Sequence, residues 1–110
     1  MDFTRDKFMR MLIFFDLPVK TKEMMKQANK FRKLLLNNGF QMLQLSVYSR
    51  IIRNDCNVEK YLQNLKKHIP PYGSVRVLTV TEKQYASMEI LVGEKTKQER
   101  EVGPEQLLLF

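Results

Sequence analysis

The chain has 110 residues, 44% of them hydrophobic, and a formal net charge of +7, enough apolar residues for one domain. Its single cysteine, Cys56, excludes an internal disulfide. With no signal-like apolar segment at the start and no run near the roughly 18 apolar residues of a membrane span, a cytoplasmic protein that does not enter the membrane is expected.

Arg10 to Leu17 reads as a strand that is apolar on both faces, ending in Phe15-Asp16 and stopped by Pro18, which cannot donate to a sheet ladder. Thr21 is placed to cap a helix, with Glu23 in its first turn; Met24, Ala28, Phe31 and Leu35 recur at helical spacing as its buried stripe. Asn38-Gly39 closes that helix. Phe40 to Arg53 reads as one long strand, with Leu43, Leu45, Val47 and Ile51 on one face and Gln44, Ser46, Tyr48 and Arg50 on the other. Asn57 can cap a second helix whose stripe is Val58, Tyr61, Leu62, Leu65 and Ile69, and Pro70-Pro71 stops it. Ser74 to Thr81 is a third strand and Met88 to Val92, ending at Gly93, a fourth.

That order fits an α+β fold, a ferredoxin-like split βαβ sandwich with both helices on one face of the sheet. The first and third strands are too apolar to leave the other face in water, so a homodimer packed through the sheets is expected. The ferredoxin-like core takes residues 1–93. Residues 94–105 (EKTKQEREVGPE) read as a charged linker, and residues 106–110 (QLLLF) as an extra C-terminal strand docking on a sheet edge of its own or the partner subunit.

The positive charge is concentrated. Residues 1–81 hold 15 Lys and Arg against 6 Asp and Glu, whereas residues 82–110 hold 4 against 6, which favours a polyanionic partner for the first three-quarters of the chain. On a helical wheel Lys22, Lys26, Lys30 and Lys33 fall within about 80° of one another, opposite the apolar stripe, with Lys20 just ahead and Arg32 to the flank. Like charges at this spacing repel by roughly 0.2–0.5 kcal/mol per pair, a cost that an anionic surface relieves. The ridge spans roughly 16 Å at about 1.5 Å per residue, several phosphates of a duplex that carries about one charge per 1.7 Å. Contact with a phosphate backbone, without base reading, is the expectation.

Asp16 is the carboxylate at a buried strand end. It either hydrogen-bonds its own turn or, if a two-fold axis passes nearby, pairs with its copy to hold a Mg2+ ion over a phosphodiester. Tyr48 and Arg50 share a strand face and suit either a phosphate or a polar part of a dimer interface. His68 and Cys56 have no partner at a spacing that carries chemistry.

The strand ending Phe15-Asp16, the basic first helix, the stretch Gln44-Leu45-Ser46-Val47-Tyr48-Ser49-Arg50 and the stretch Thr79-Val80-Thr81-Glu82-Lys83-Gln84, in this order and spacing, resemble the small CRISPR-associated adaptation family Cas2, most closely the form that accompanies Cas9-type systems. The resemblance runs from about Arg10 to Phe110. It implies a ferredoxin-like homodimer at the centre of the spacer-acquisition complex, flanked by two CRISPR integrase dimers and holding a short double-stranded DNA before insertion. It also implies a metal-dependent nuclease alternative, acting on RNA or DNA, in which Asp16 binds Mg2+. Phe15 stands where many members carry Tyr, and the missing hydroxyl weighs toward the scaffold.

Overall fold

The computed structural model describes residues 7–53 and 58–93. Strand β1 (Phe8–Asp16) runs into helix α1 (Lys22–Asn37), followed by β2 (Gln41–Gln44), β3 (Val47–Arg53), α2 (Val58–Lys66), β4 (Ser74–Thr81) and a short α3 (Glu82–Ala86). The strands form one sheet in the order β2-β3-β1-β4, with every neighbouring pair antiparallel. This is the ferredoxin-like arrangement that the sequence implies.

β1 is central, paired on one edge with β3 and on the other with β4, and its alternation gives one wholly apolar face and one mixed face. Met11, Ile13 and Phe15 meet Phe31 and Leu35 of α1, Leu65 of α2, Phe40, and Tyr48 and Ile52 of β3 in a single core. The Phe15 ring packs edge-on against Phe31, centroids 5.4 Å apart, and tilted against Tyr48 at 5.5 Å. Arg10, Leu12, Phe14 and Asp16 point to the opposite face.

Helix α1 begins and ends where its residues require. Thr21 is extended and its Oγ1 accepts from the Met24 N–H at 3.1 Å. At the other end Gly39 takes φ +84°, and the Asn38 side chain donates to the Leu34 carbonyl at 2.7 Å. The last turn of α1 carries no basic residue. Arg50, reaching over from β3, donates from Nη1 to the Asn38 carbonyl and stacks 4.6 Å from the Tyr61 ring centre, placing a cation at the negative end of the helix dipole.

Three expectations are corrected. The single strand over Phe40–Arg53 is a hairpin: β2 and β3 are joined by a tight turn at Leu45-Ser46, with a register shift between Met42 and Gln44. No glycine or asparagine marks that turn. It is held instead by a neighbouring strand, since the Phe15 N–H donates to the Ser46 carbonyl at 3.0 Å. The fourth strand expected over Met88–Val92 is absent, because the hairpin supplies the missing strand. β4 leads instead into α3, closed by a capping box: Gln84 N–H to Thr81 Oγ1 at 3.0 Å and Thr81 N–H to Gln84 Oε1 at 2.9 Å. Ile69 lies beyond the end of α2 and is 43% exposed rather than part of a buried stripe. The expected cap Asn57, the charged linker 94–105 and the docking strand 106–110 lie outside the described residues. No described helix is long and apolar enough to cross a membrane.

α3 folds back over one end of the sheet face that α1 leaves open. Arg10, 7% exposed, stacks 4.2 Å from the Tyr85 ring centre and pairs with Glu82, Nε to Oε1 at 2.6 Å and Nη2 to Oε2 at 3.4 Å. The other end of that face stays bare, with Phe14 and Leu78 exposed.

Candidate nucleic-acid interface and strand-end carboxylate

The wheel places four lysines on one side of α1, and the structure agrees. Lys22, Lys26, Lys30 and Lys33 are all exposed, while Ala28, Phe31 and Leu35 are buried on the side that faces the sheet. Lys20 is exposed just ahead of the helix. Glu23, the one acid of α1, accepts a hydrogen bond from Gln27 at 3.0 Å. None of the four lysines forms an ion pair with a described residue. Among the described residues the ridge is therefore a one-signed surface with no ion-paired counter-charge on it. Arg32 stands at its edge, its guanidinium 5.6 Å from the Phe15 ring centre, so the ridge abuts the residue next to Asp16.

Asp16 is exposed at the last position of β1, opposite Ser74 of β4. Its backbone is clamped from both sides. On one side the turn at Ser46 accepts the Phe15 N–H. On the other, Gly73 with φ +92° sits so near that an added β-carbon would stand 2.5 Å from the Asp16 carbonyl oxygen. The carboxylate thus projects from a rigid place on the bare end of the open sheet face. Alone it does not suit Mg2+, which wants six oxygen ligands and commonly one or two carboxylates among them. Among the described residues no three His, Cys, Asp or Glu come together as a metal site.

Tyr48 and Arg50 are on the helix side of the sheet. Tyr48 is 3% exposed in the core, and Arg50 closes α1. The bulk of Tyr48 and Ile52 fills the space under the helices, which is why this face turns inward and Val47 and Ile51 turn the other way. Sequence reasoning passed over Arg10, Glu82 and Tyr85. The S/T-x-x-E/Q pattern at Thr81-Glu82-Lys83-Gln84 was the available signal for α3, which brings Glu82 and Tyr85 to Arg10.

The family model for CRISPR associated protein Cas2 matches residues 9–88, from β1 through α3. The chain belongs to the Cas2 family. It is 51% identical to a CRISPR-associated endoribonuclease Cas2 of Acidovorax ebreus over 102 residues, covering 93% of this chain and 100% of that protein. It is 46% identical to one of Campylobacter jejuni over 105 residues, covering 96% of this chain and 73% of that protein. It is 46% identical to one of Streptococcus mutans over 87 residues, covering 79% and 80%. The matched span takes in the described strands, β1 from its second residue, together with the basic ridge and Asp16.

Proposed function

We propose that this Cas2-family chain acts in the cytoplasm as the nucleic-acid-binding scaffold of the CRISPR spacer-acquisition complex. Two copies join through the open faces of their sheets, each presents its α1 ridge to duplex DNA, and the dimer bridges two integrase dimers. The observation that carries this reading is the ridge: four exposed lysines, unpaired among the described residues, on a helix whose other side buries Ala28, Phe31 and Leu35. A backbone-reading surface needs charge at intervals and no base-specific groups, and the ridge offers that. The bare end of the sheet face, with Phe14 and Leu78 exposed, supports joining through the sheets.

Charge reversal at Lys22, Lys26 and Lys30 tests the reading. The triple variant is expected to lose affinity for duplexes of any sequence, to show a flatter dependence of affinity on salt, and to fail in spacer acquisition. Unaltered binding and acquisition would remove the ridge from the function.

A second reading is a Mg2+-dependent endonuclease, and the relatives' name, endoribonuclease, favours it. Among the described residues Asp16 is the one carboxylate at a buried strand end, so on this reading the two Asp16 side chains of a dimer share the ion. The placement of Asp16 on the sheet face open to a partner supports that requirement.

A further inference from the structure

Beside the ridge, α1 and the segment after α2 enclose a half-open cleft of about 390 Å3. Lys30 and Lys33 line it from α1, together with Asn37; Lys67, His68 and Ile69 line it from the other wall. No described lining residue is acidic. Lys30 and Lys33 also belong to the depression along the ridge with Lys22 and Lys26, so the two surfaces are continuous around the helix. The cleft accounts for Ile69, which is exposed as part of its lining instead of filling the core.

We propose that this cleft takes a backbone phosphate of the same nucleic acid that lies on the α1 ridge, so that the footprint crosses from α1 to the end of α2. Three lysines from two separate elements converge on it, and Asn37 adds an amide able to donate to phosphate oxygen. The wall beyond α2 is held in place: the His68 N–H donates to the Leu65 carbonyl at 3.0 Å, and His68 Nδ1 lies 3.0 Å from the Asn64 carbonyl. The carbonyl end of α2 opposes an anion with a fractional charge, and Lys66 in its last turn offsets this. Full positive charges from Lys30, Lys33 and Lys67 exceed that fraction, so the cleft favours an anion. The ligand is the phosphodiester backbone, since the cleft offers three lysines and two amides, Gln27 and Asn37, beside apolar Phe31, Leu34 and Ile69, and lies against a ridge long enough for several phosphates.

The inference rests on the nucleic-acid-binding reading of the ridge, and one experiment separates the two. The full chain is titrated into a fluorescein-labelled random-sequence duplex of about 30 base pairs, with anisotropy read at several salt concentrations. Wild type is compared with Lys67→Gln, with Lys67→Gln/His68→Ala and with Lys22→Gln/Lys26→Gln, each checked for unchanged thermal unfolding. Lys67→Gln is expected to weaken binding about threefold to tenfold at low salt and to reduce the log–log salt slope by about one, the loss of one phosphate contact. The double cleft variant is expected to weaken it at least as much. If the ridge variant loses affinity while both cleft variants match wild type in affinity and slope, the cleft is overturned and the ridge stands. If wild type shows no salt-dependent duplex binding, the ridge reading fails and the cleft with it.

Discussion

Gly73 meets the carbonyl oxygen of Asp16 across the β4–β1 boundary, at a distance that leaves no room for a side chain. Its φ of +92° is also one that residues with a β-carbon rarely adopt. The candidate carboxylate is therefore positioned by a glycine 57 residues later in the chain. Gly73→Ala is expected to destabilise the fold by about 1–3 kcal/mol, from backbone strain and the contact with Asp16. A drop in the urea midpoint with an unchanged m-value checks this, and any Asp16-dependent activity should fall with it. A variant as stable as wild type would show that the strand end has slack.

Asp16→Asn separates scaffold from nuclease. The change keeps the shape and removes the charge of an exposed side chain, so folding and duplex affinity should stay within error of wild type. Spacer acquisition should persist, whereas any Mg2+-dependent cleavage of RNA or DNA should disappear. Cleavage that survives the substitution would place the nuclease elsewhere, and lost acquisition with intact duplex binding would refute scaffolding alone.

The ridge predicts an opposition between stability and binding. Lys26 has a lysine four residues away on each side and Glu23 three residues before it, so Lys26→Gln relieves two repulsions, loses one attraction, and should stabilise the free protein by roughly 0.2–0.5 kcal/mol. The same variant should bind duplex more weakly, with a smaller salt slope. A merely solvated face would show the first effect without the second.

Arg10 and Glu82 form an ion pair that fastens α3 to the sheet, with side chains 9% and 20% exposed. Glu82→Ala leaves the Arg10 guanidinium with its Tyr85 stacking but no counter-charge among the described residues, and should cost about 2–3 kcal/mol in chemical unfolding. Arg10→Met/Glu82→Ala should recover part of that loss, because the apolar side chain needs no partner. A double variant no better than the single would mean that α3 is held by Tyr85 instead.

The open sheet face predicts the assembly. Leu78 is 53% exposed on the same face as Phe14 and Asp16. Leu78→Glu should convert a dimer seen by sedimentation equilibrium into a folded monomer, since a charge placed in an apolar interface goes unpaired. A monomeric wild type would remove the shared Asp16 site.

Helix α1 was legible to the residue at its start, because Thr21 and the Met24, Ala28, Phe31, Leu35 spacing act within a few turns of one another. So was β4, whose bounds coincide with the run from Ser74 to Thr81 between a turn glycine and a capping threonine. The lysine ridge comes from the same helical geometry. The hairpin was not legible, since Leu45-Ser46 turns for a reason lying 31 residues earlier, the N–H of Phe15. Nor was the inward direction of Tyr48 and Arg50, because a strand's alternation defines two faces without saying which one the helices cover. Local hydrogen bonds and side-chain periodicity thus determined the elements and the placement of charge. Packing decided the rest: which face is core, what α3 covers, and how Gly73 and Ser46 hold Asp16, all of which depend on contacts between residues far apart in the chain.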